Sequence, residues 1–466
     1  MGDPNPWSWG LSTQSGRRRG HRFSGRHRRN GRMVGINSRP EERPRLIVMF
    51  EEGAVTPAEI MLSLTDWADV MLVVGTSPYT AAVKPFLYEI AEAITWDQPR
   101  AELLGHLRKW RPDGIITYAE RMLVPTAEVA AELGLLFHSV TTATLLRDKF
   151  EQRRRLAEAG VQRTRSVSLT GVDQWRDVAA QVGFPLVVKP RLGEGSQYTH
   201  LVHGIEQGEA LLRDLSKSYS GVLVAEEFIA GKQRPPFGDY VSVESCVVDG
   251  EITHLEITGK FPILPPFREQ GHFWPAPVSD PERDDILDLT RRALTGLGIS
   301  TGLTHTEVKL TADGPRLIEV NGRIGGQINE LAIRACGTDL IAAGARMALG
   351  LHSDELVLKP SKTYFQYHNL PPLDARRLTG VRGAAAAKKV AGVTSYEIYL
   401  HPPAPLERGV MTTWIDAVRG EAHDHDEMLA VLDQANELLS FVYETPSGEV
   451  TLPAMWTQQR TSHRSE

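Results

Sequence analysis

Between Thr304 and Ile328 the chain reads THTEVKLTADGPRLIEVNGRIGGQI, a stretch in which Glu307, Glu319, Asn321 and Arg323 fall close together. Thr304 to Leu310 and Pro315 to Val320 are short β-rich runs, and the turn residues between them end in Asp313-Gly314, the pattern of a hairpin. Pairing the runs about a three-residue loop sets Glu307 opposite Glu319, and Asn321, further along its strand, shares their face. Carboxylates side by side repel each other, which costs stability unless positive charge lies between them. Two Glu and one Asn offer oxygen ligands that suit a hard cation, and Mg²⁺ that also touches nucleotide phosphates needs only a few of them. The ordinary alternative is a solvated hairpin whose acids face water. Arg323 and Gly325-Gly326 weigh against it, because a guanidinium forks onto carboxylate or phosphate and adjacent glycines let backbone approach a ligand.

Elements to position such a hairpin can be read along the chain. Arg45-Leu-Ile-Val-Met-Phe50, Val70-Met-Leu-Val-Val74 and Gly114-Ile-Ile-Thr117 are buried-strand signals, with an amphipathic segment from Glu102 to Trp110 before the last. Strands alternating with helices predict βαβ units on a parallel sheet. Ligands on such sheets sit beyond the carboxyl ends of the strands, which makes Glu51, Glu52 and Glu120 candidate substrate contacts, or else ordinary solvated acids.

From Asp148 the pattern changes. Asp148 to Gly160 reads as a helix closing on glycine, with Lys149 near its start. A strand around Arg165 to Leu169 and a helix from Val172 to Gln181 lead to Phe184-Pro-Leu-Val-Val-Lys-Pro190. There Lys189 ends a strand and Gly193-Glu-Gly-Ser196 follows, a combination able to clamp phosphate with an ammonium and backbone N–H groups. Val222 to Gly231 is a strand running into a turn, suited to present backbone groups to a base with Glu226 beside them.

The order of these pieces resembles the ATP-grasp superfamily, and among its members the L-amino-acid (dipeptide) ligases and related carboxylate-amine ligases. The resemblance rests on Lys149, Lys189 with its glycine loop, Glu226-Glu-Phe-Ile-Ala-Gly231, Glu307, and Glu319-Val-Asn-Gly-Arg323. It implies an α/β and α+β architecture: a Rossmann-like pre-ATP-grasp domain (44–144), a two-subdomain ATP-grasp core (145–350) and a small lid-like C-terminal domain (351–450). Lys149, Lys189, Gly193, Gly195 and Ser196 would hold ATP phosphates, and Glu226, Glu227, Phe228 and Ile229 the adenine. Glu307, Glu319 and Asn321 would hold Mg²⁺, with Mn²⁺ as the alternative, and Arg323 would steady the transferring phosphoryl group or the acyl phosphate. One departure concerns the ribose. Where the family places an acid, this chain has Tyr240, with Asp239 beside it.

Residues 258–277 are rich in proline and predict a long irregular loop. The spacing of Glu269 and His272 within it also resembles the dipeptide ligases, and implies that Glu269 holds a substrate ammonium and that His272 binds substrate or assists proton transfer. The helical run Glu330 to Leu349, with Ala335-Cys-Gly-Thr-Asp-Leu340, fits the same group. The activity implied is an ADP-forming amide synthesis from small-molecule carboxylate and amine substrates. A carboxylase or carbamoyl-phosphate-like ligase and a non-catalytic ATP sensor are the other readings; ligases of this kind are often homodimers.

Composition bounds the rest. With 466 residues, 41% hydrophobic and 24% charged, the chain has the profile of a globular protein of two to four domains. Its 52 basic and 58 acidic residues predict no nucleic-acid surface on the folded part, and no apolar run approaches the roughly 18 residues of a membrane span. Two cysteines, Cys246 and Cys336, show neither metal spacing nor a disulfide framework, consistent with a reducing cytoplasm. Residues 1–43, with the run Arg17 to Arg32, predict a disordered basic extension and 451–466 a flexible tail. Ala422-His-Asp-His-Asp-Glu427 can be read as metal ligands or, more simply, as an acidic helix start.

Overall fold

The computed structural model describes residues 43–351, 356, 358–406 and 412–456. The basic run Arg17 to Arg32 and the last ten residues of the expected tail lie outside them. The first sheet contains β1 (Arg45–Phe50), β2 (Asp69–Val74), β3 (Glu92–Thr95) and β4 (Gly114–Ile116), in the order β3-β2-β1-β4 and parallel throughout. Apolar runs such as Leu46 to Phe50 are buried on both faces, as a parallel sheet covered by helices requires. The second sheet holds β5 (Ser166–Leu169), β6 (Leu186–Pro190), β7 (His200–Val202) and β8 (Leu223–Glu227), antiparallel in the order β5-β8-β6-β7.

The third sheet has eight strands. β9 (Tyr240–Val248), β10 (Glu251–Lys260), β11 (Gly271–Trp274), β12 (Gly302–Thr311) and β13 (Gly314–Asn321) come from the middle of the chain. The C-terminal section brings β14 (Thr363–Tyr367), β15 (Arg377–Arg382), β16 (Val393–Ile398), β17 (Ala404–Pro405), β18 (Asp416–Ala422), β19 (Ser440–Thr445) and β20 (Gly448–Pro453). Of these, β14, β18 and β16 continue the third sheet, whose order is β13-β12-β9-β10-β11-β14-β18-β16, and the other four form a sheet of their own. The C-terminal section thus shares a sheet with the acidic hairpin. The helix His425–Glu437 follows β18, and Ser440–Thr445 after it pairs as β19.

β13 lies at the edge of the eight-stranded sheet, where unpaired backbone groups need partners. Side chains provide them. Gln152 accepts from Val320 N at 2.9 Å and donates to Val320 O at 3.0 Å, and Gln162 does the same for Leu317 at 2.7 and 3.1 Å. The helix Lys149–Glu158, which carries Gln152, is thereby fixed along the strand that carries Glu319 and Asn321.

Candidate active site

Glu307 stands opposite Glu319, and His305 opposite Asn321, on the paired strands β12 and β13. The route to this pairing differs from the three-residue loop expected. Thr311 pairs with Gly314 across a tighter turn, which alone would set the register one residue off, and a bulge between Glu307 and Val308 leaves Ile318 unpaired and restores it. Glu307 and Glu319 are partly exposed, whereas Asn321 is buried. Burial first, then repulsion from Glu269 and Glu319, pushes the Glu307 carboxyl up from its ordinary range. Glu319 goes the other way: burial opposes its charge, but Lys149 and Lys189 outweigh it and hold the pKa down.

Lys149 donates to Glu319 Oε1 at 2.9 Å and to the carbonyl of Gly193 at 2.8 Å, joining the acidic hairpin to the glycine loop. It sits at the first turn of a helix capped by Asp148, whose carboxylate accepts from the N–H of Phe150 and Glu151 and from Arg191 at 2.8 Å. In the loop, Gly195 and Ser196 both have positive φ, at 62° and 57°, a conformation that glycine adopts freely and serine does not. Arg121, after β4, reaches Glu194 at 2.8 Å and ties the first sheet to this loop.

Lys189 is buried and lies 2.9 Å from Glu226, which also receives Arg153 at 3.1 Å. The Glu226 carboxylate is therefore occupied by two cations, and what the turn after β8 has left for a base is the backbone of residues 227–229. Glu227 is likewise engaged, by Arg165 and Arg316 at 2.7 Å each. Burial works to raise the pKa of Glu226, yet Arg153 and Lys189 prevail and hold it at about 2. Since this lies below the ordinary 4.5, the carboxylate adds stability above pH 4.5 that is lost as pH falls toward 2, worth about 3 kcal/mol in full. Glu226→Gln should cost about 3 to 5 kcal/mol at pH 7 by leaving two buried cations unpaired. Its denaturant-unfolding free energy should also fall less steeply than the wild type's between pH 5 and 3. Equal slopes would show that the ion pairs do not stabilise the fold.

Arg323 extends from the end of the hairpin to Glu120, with Nε 3.3 Å from Oε2, and donates through Nη1 to its neighbour's carbonyl at 2.9 Å. Glu120 is buried, and burial raises its pKa against the pull of Arg323. The candidate loop acid of the first sheet thus faces the hairpin, while Glu51 turns to Ser77 and the backbone of Glu52.

Glu269 accepts from the Tyr240 hydroxyl at 3.2 Å and lies 3.7 Å from Lys260. Tyr240 is buried with its hydroxyl directed to Glu269. Asp239 is the acid beside the turn expected to face a base: it meets Lys309 at 2.6 Å, and a Cβ on Gly231 would fall 1.9 Å from its Oδ2. His272 corrects the expectation of one long irregular loop over 258–277. β10 runs to Lys260 and β11 begins at Gly271, so His272 is a buried strand residue, held there by Phe273 and Trp274, which are fully buried. Burial, then Lys260, keeps its pKa well below the ordinary histidine value.

Four residues without a motif signal in the sequence complete the arrangement: Arg153, Gln152 and the buried pair of Glu244 with His305, 2.9 Å apart. The first was visible in principle, since Lys149 and Arg153 are four apart and share a helix face. Elsewhere, Asp424 caps the helix His425–Glu437 and His425 bonds the carbonyl of Pro275, so residues 422–427 act as a helix start. Among the described residues no three His, Cys, Asp or Glu side chains gather into a metal-ligand cluster, and no helix is long and apolar enough to cross a membrane.

Residues 182–330 match the family model of the ATP-grasp domain. The chain carries an ATP-grasp domain. Its match spans β6 to the start of the helix Ile328–Cys336 and so takes in Lys189, the glycine loop and the acidic hairpin. The chain is 28% identical over 265 residues to the alanine–anticapsin ligase of Bacillus subtilis, a match covering 51% of this chain and 56% of that protein. It therefore spans little more than half the length of that relative. A second relative, the L-arginine-specific L-amino acid ligase of Bacillus subtilis, is 23% identical over 314 residues, covering 63% of this chain and 69% of that one. The crystal structure of an L-amino acid ligase from Bacillus licheniformis superposes with a TM-score of 0.70 at 21% identity, covering 87% of this chain and 99% of that one, which extends the likeness in fold well beyond the ATP-grasp domain.

Proposed function

We propose that this protein is an ATP-dependent, ADP-forming carboxylate-amine ligase that joins amino acids or a similar small acid and amine through an acyl phosphate. The observation that carries the proposal is the meeting of Glu319, Lys149 and the carbonyl of Gly193 within 2.9 Å, which brings the acidic hairpin, the helix at Asp148 and the glycine loop to one point. The relatives named as amino acid ligases support the same class.

The donor set fits a hard cation. Glu307 and Glu319 face each other with Asn321 beside them, and the pKa of Glu307, raised by burial first and then by repulsion from Glu269 and Glu319, marks a carboxylate that a bound cation would stabilise. These three residues would hold Mg²⁺, or Mn²⁺ in its place, which supplies charge neutralisation at phosphate oxygens when bound. Lys149 and Lys189 would take up the phosphates of ATP, Lys189 being kept in position by Glu226. A substrate carboxylate oxygen attacks the γ-phosphorus, the bond to ADP breaks, and an acyl phosphate results. The amine then attacks the acyl carbon, loses a proton and expels phosphate, while Arg323, steadied by Glu120, stabilises the oxyanion. Glu269 would hold the ammonium beforehand, and His272, buried and neutral, would contribute a hydrogen-bonding wall. Positioning does most of this work, and no covalent enzyme nucleophile is needed.

The test is ADP release from MgATP with pools of amino acids, singly and in pairs. ADP that appears only with a productive pair, together with a product mass equal to their sum less water, is the expected result. ADP formed with bicarbonate and no amine would move the reading to a carboxylase.

A further inference from the structure

The sheet face that carries the acidic hairpin also carries a row of polar side chains farther along. Lys260 on β10 lies opposite His272 on β11, His272 opposite Gln366 on β14, and Gln366 opposite Arg419 on β18. Residues opposite one another on antiparallel strands share a face. The row starts beside the proposed ammonium site, since Lys260 is 3.7 Å from Glu269. Such a row is costly at this depth unless every polar atom is satisfied. Three atoms of the row are not: Arg419 Nε at its end and, at its centre, His272 Nε2 and Gln366 Oε1 have no hydrogen-bond partner among the described residues, although the two central side chains belong to residues only 3% and 0% exposed.

What these atoms want can be worked out. His368 donates from Nδ1 to the carbonyl of Asp416 at 2.8 Å, so its Nε2 is an acceptor, and Gln366 Nε2 faces it at 3.2 Å. The same amide nitrogen donates to Gln327 Oε1 at 3.3 Å. Turning the Gln366 amide over would set its oxygen against the His368 lone pair, so Oε1 stays an acceptor in need of a donor. His272 beside it is neutral and can accept at Nε2. A carboxylate placed here would oppose its oxygens to Gln366 Oε1; an NH₂ group could donate to both atoms, and a hydroxyl to one of them. Gln327, only partly buried, lies between Gln366 and the Arg323 segment.

We infer that the amine substrate carries a hydrogen-bond donor on its side chain, and that Gln366 Oε1 and His272 Nε2 receive it. The inference rests on the ligase reading and names the substrate class within it. Sites built to bond an O–H or N–H reject the analogue lacking it far more strongly than apolar pockets reject a change of size.

The experiment compares kcat/KM for near-isosteric amines, threonine against valine, asparagine against leucine and glutamine against methionine, in wild type and in Gln366→Met. The wild type should favour the donor-bearing member of at least one pair by about 100-fold. Gln366→Met should erase that preference with MgATP affinity unchanged; should it fail to fold by circular dichroism, His272→Leu reads the same ratio. Equal rates in the wild type, or a preference that survives the substitution, would mean that water fills the row, and would overturn the inference. If no amine yields ADP, the ligase reading fails, and the row is judged by melting temperature of the MgATP complex with the same amino acids. A rise with donor-bearing members only, lost in Gln366→Met, sustains donor recognition, and equal shifts or none overturn it.

Discussion

Glu319→Ala should lower Mg²⁺-dependent turnover by roughly a thousand-fold, a loss of the size seen when a group that stabilises transition-state charge is removed. The substitution acts twice. It removes one of the two facing carboxylates, and it frees Lys149, whose 2.9 Å contact with Glu319 is one of two hydrogen bonds that its ammonium makes among the described residues. Burial lowers the lysine's pKa, and Glu319 is the chief influence raising it, so the loss also weakens the charge that would meet phosphate. Isothermal titration should show weaker MgATP binding alongside the kinetic loss. Glu319→Gln separates the two effects, since it keeps a partner for Lys149 while removing the negative charge. Full turnover in Glu319→Ala would make the metal assignment wrong.

Arg323→Lys should lower kcat by about 10² to 10³-fold while leaving MgATP affinity within about twofold. Lysine keeps the charge that answers buried Glu120, so the fold should survive, but it lacks the planar fork that can hold Glu120 and an oxyanion together. Neither Lys149 nor Lys189 bonds Arg323. Stopped-flow and steady-state rates on a productive pair, beside nucleotide titrations, check this. A wild-type kcat in Arg323→Lys would remove the residue from the chemistry.

The residues that bear these predictions were legible because their chemistry is compressed into short segments: a lysine ending a strand before a glycine loop, and acids on two strands of one hairpin. How they are held was less so. The facing of Glu307 and Glu319 depends on a bulge at Ile318 that compensates a tight turn, and nothing in Arg316-Leu-Ile-Glu319 marks it. Glu226 reads as a base-facing acid until Arg153, from a helix about seventy residues earlier, is found beside it. The register that adds β14, β18 and β16 to the central sheet is set by packing between distant segments, for which local patterning holds no signal. His272 was hidden by prolines on either side, which suggested a loop where Gly271 to Trp274 in fact pair with β14.

The most direct test of the central claim follows oxygen. With the acid substrate labelled in its carboxylate with ¹⁸O, a ligase that works through an acyl phosphate transfers one labelled oxygen into the inorganic phosphate released, and mass spectrometry of that phosphate should find it. Phosphate free of label, in a reaction that consumes ATP and yields the amide, would contradict the account.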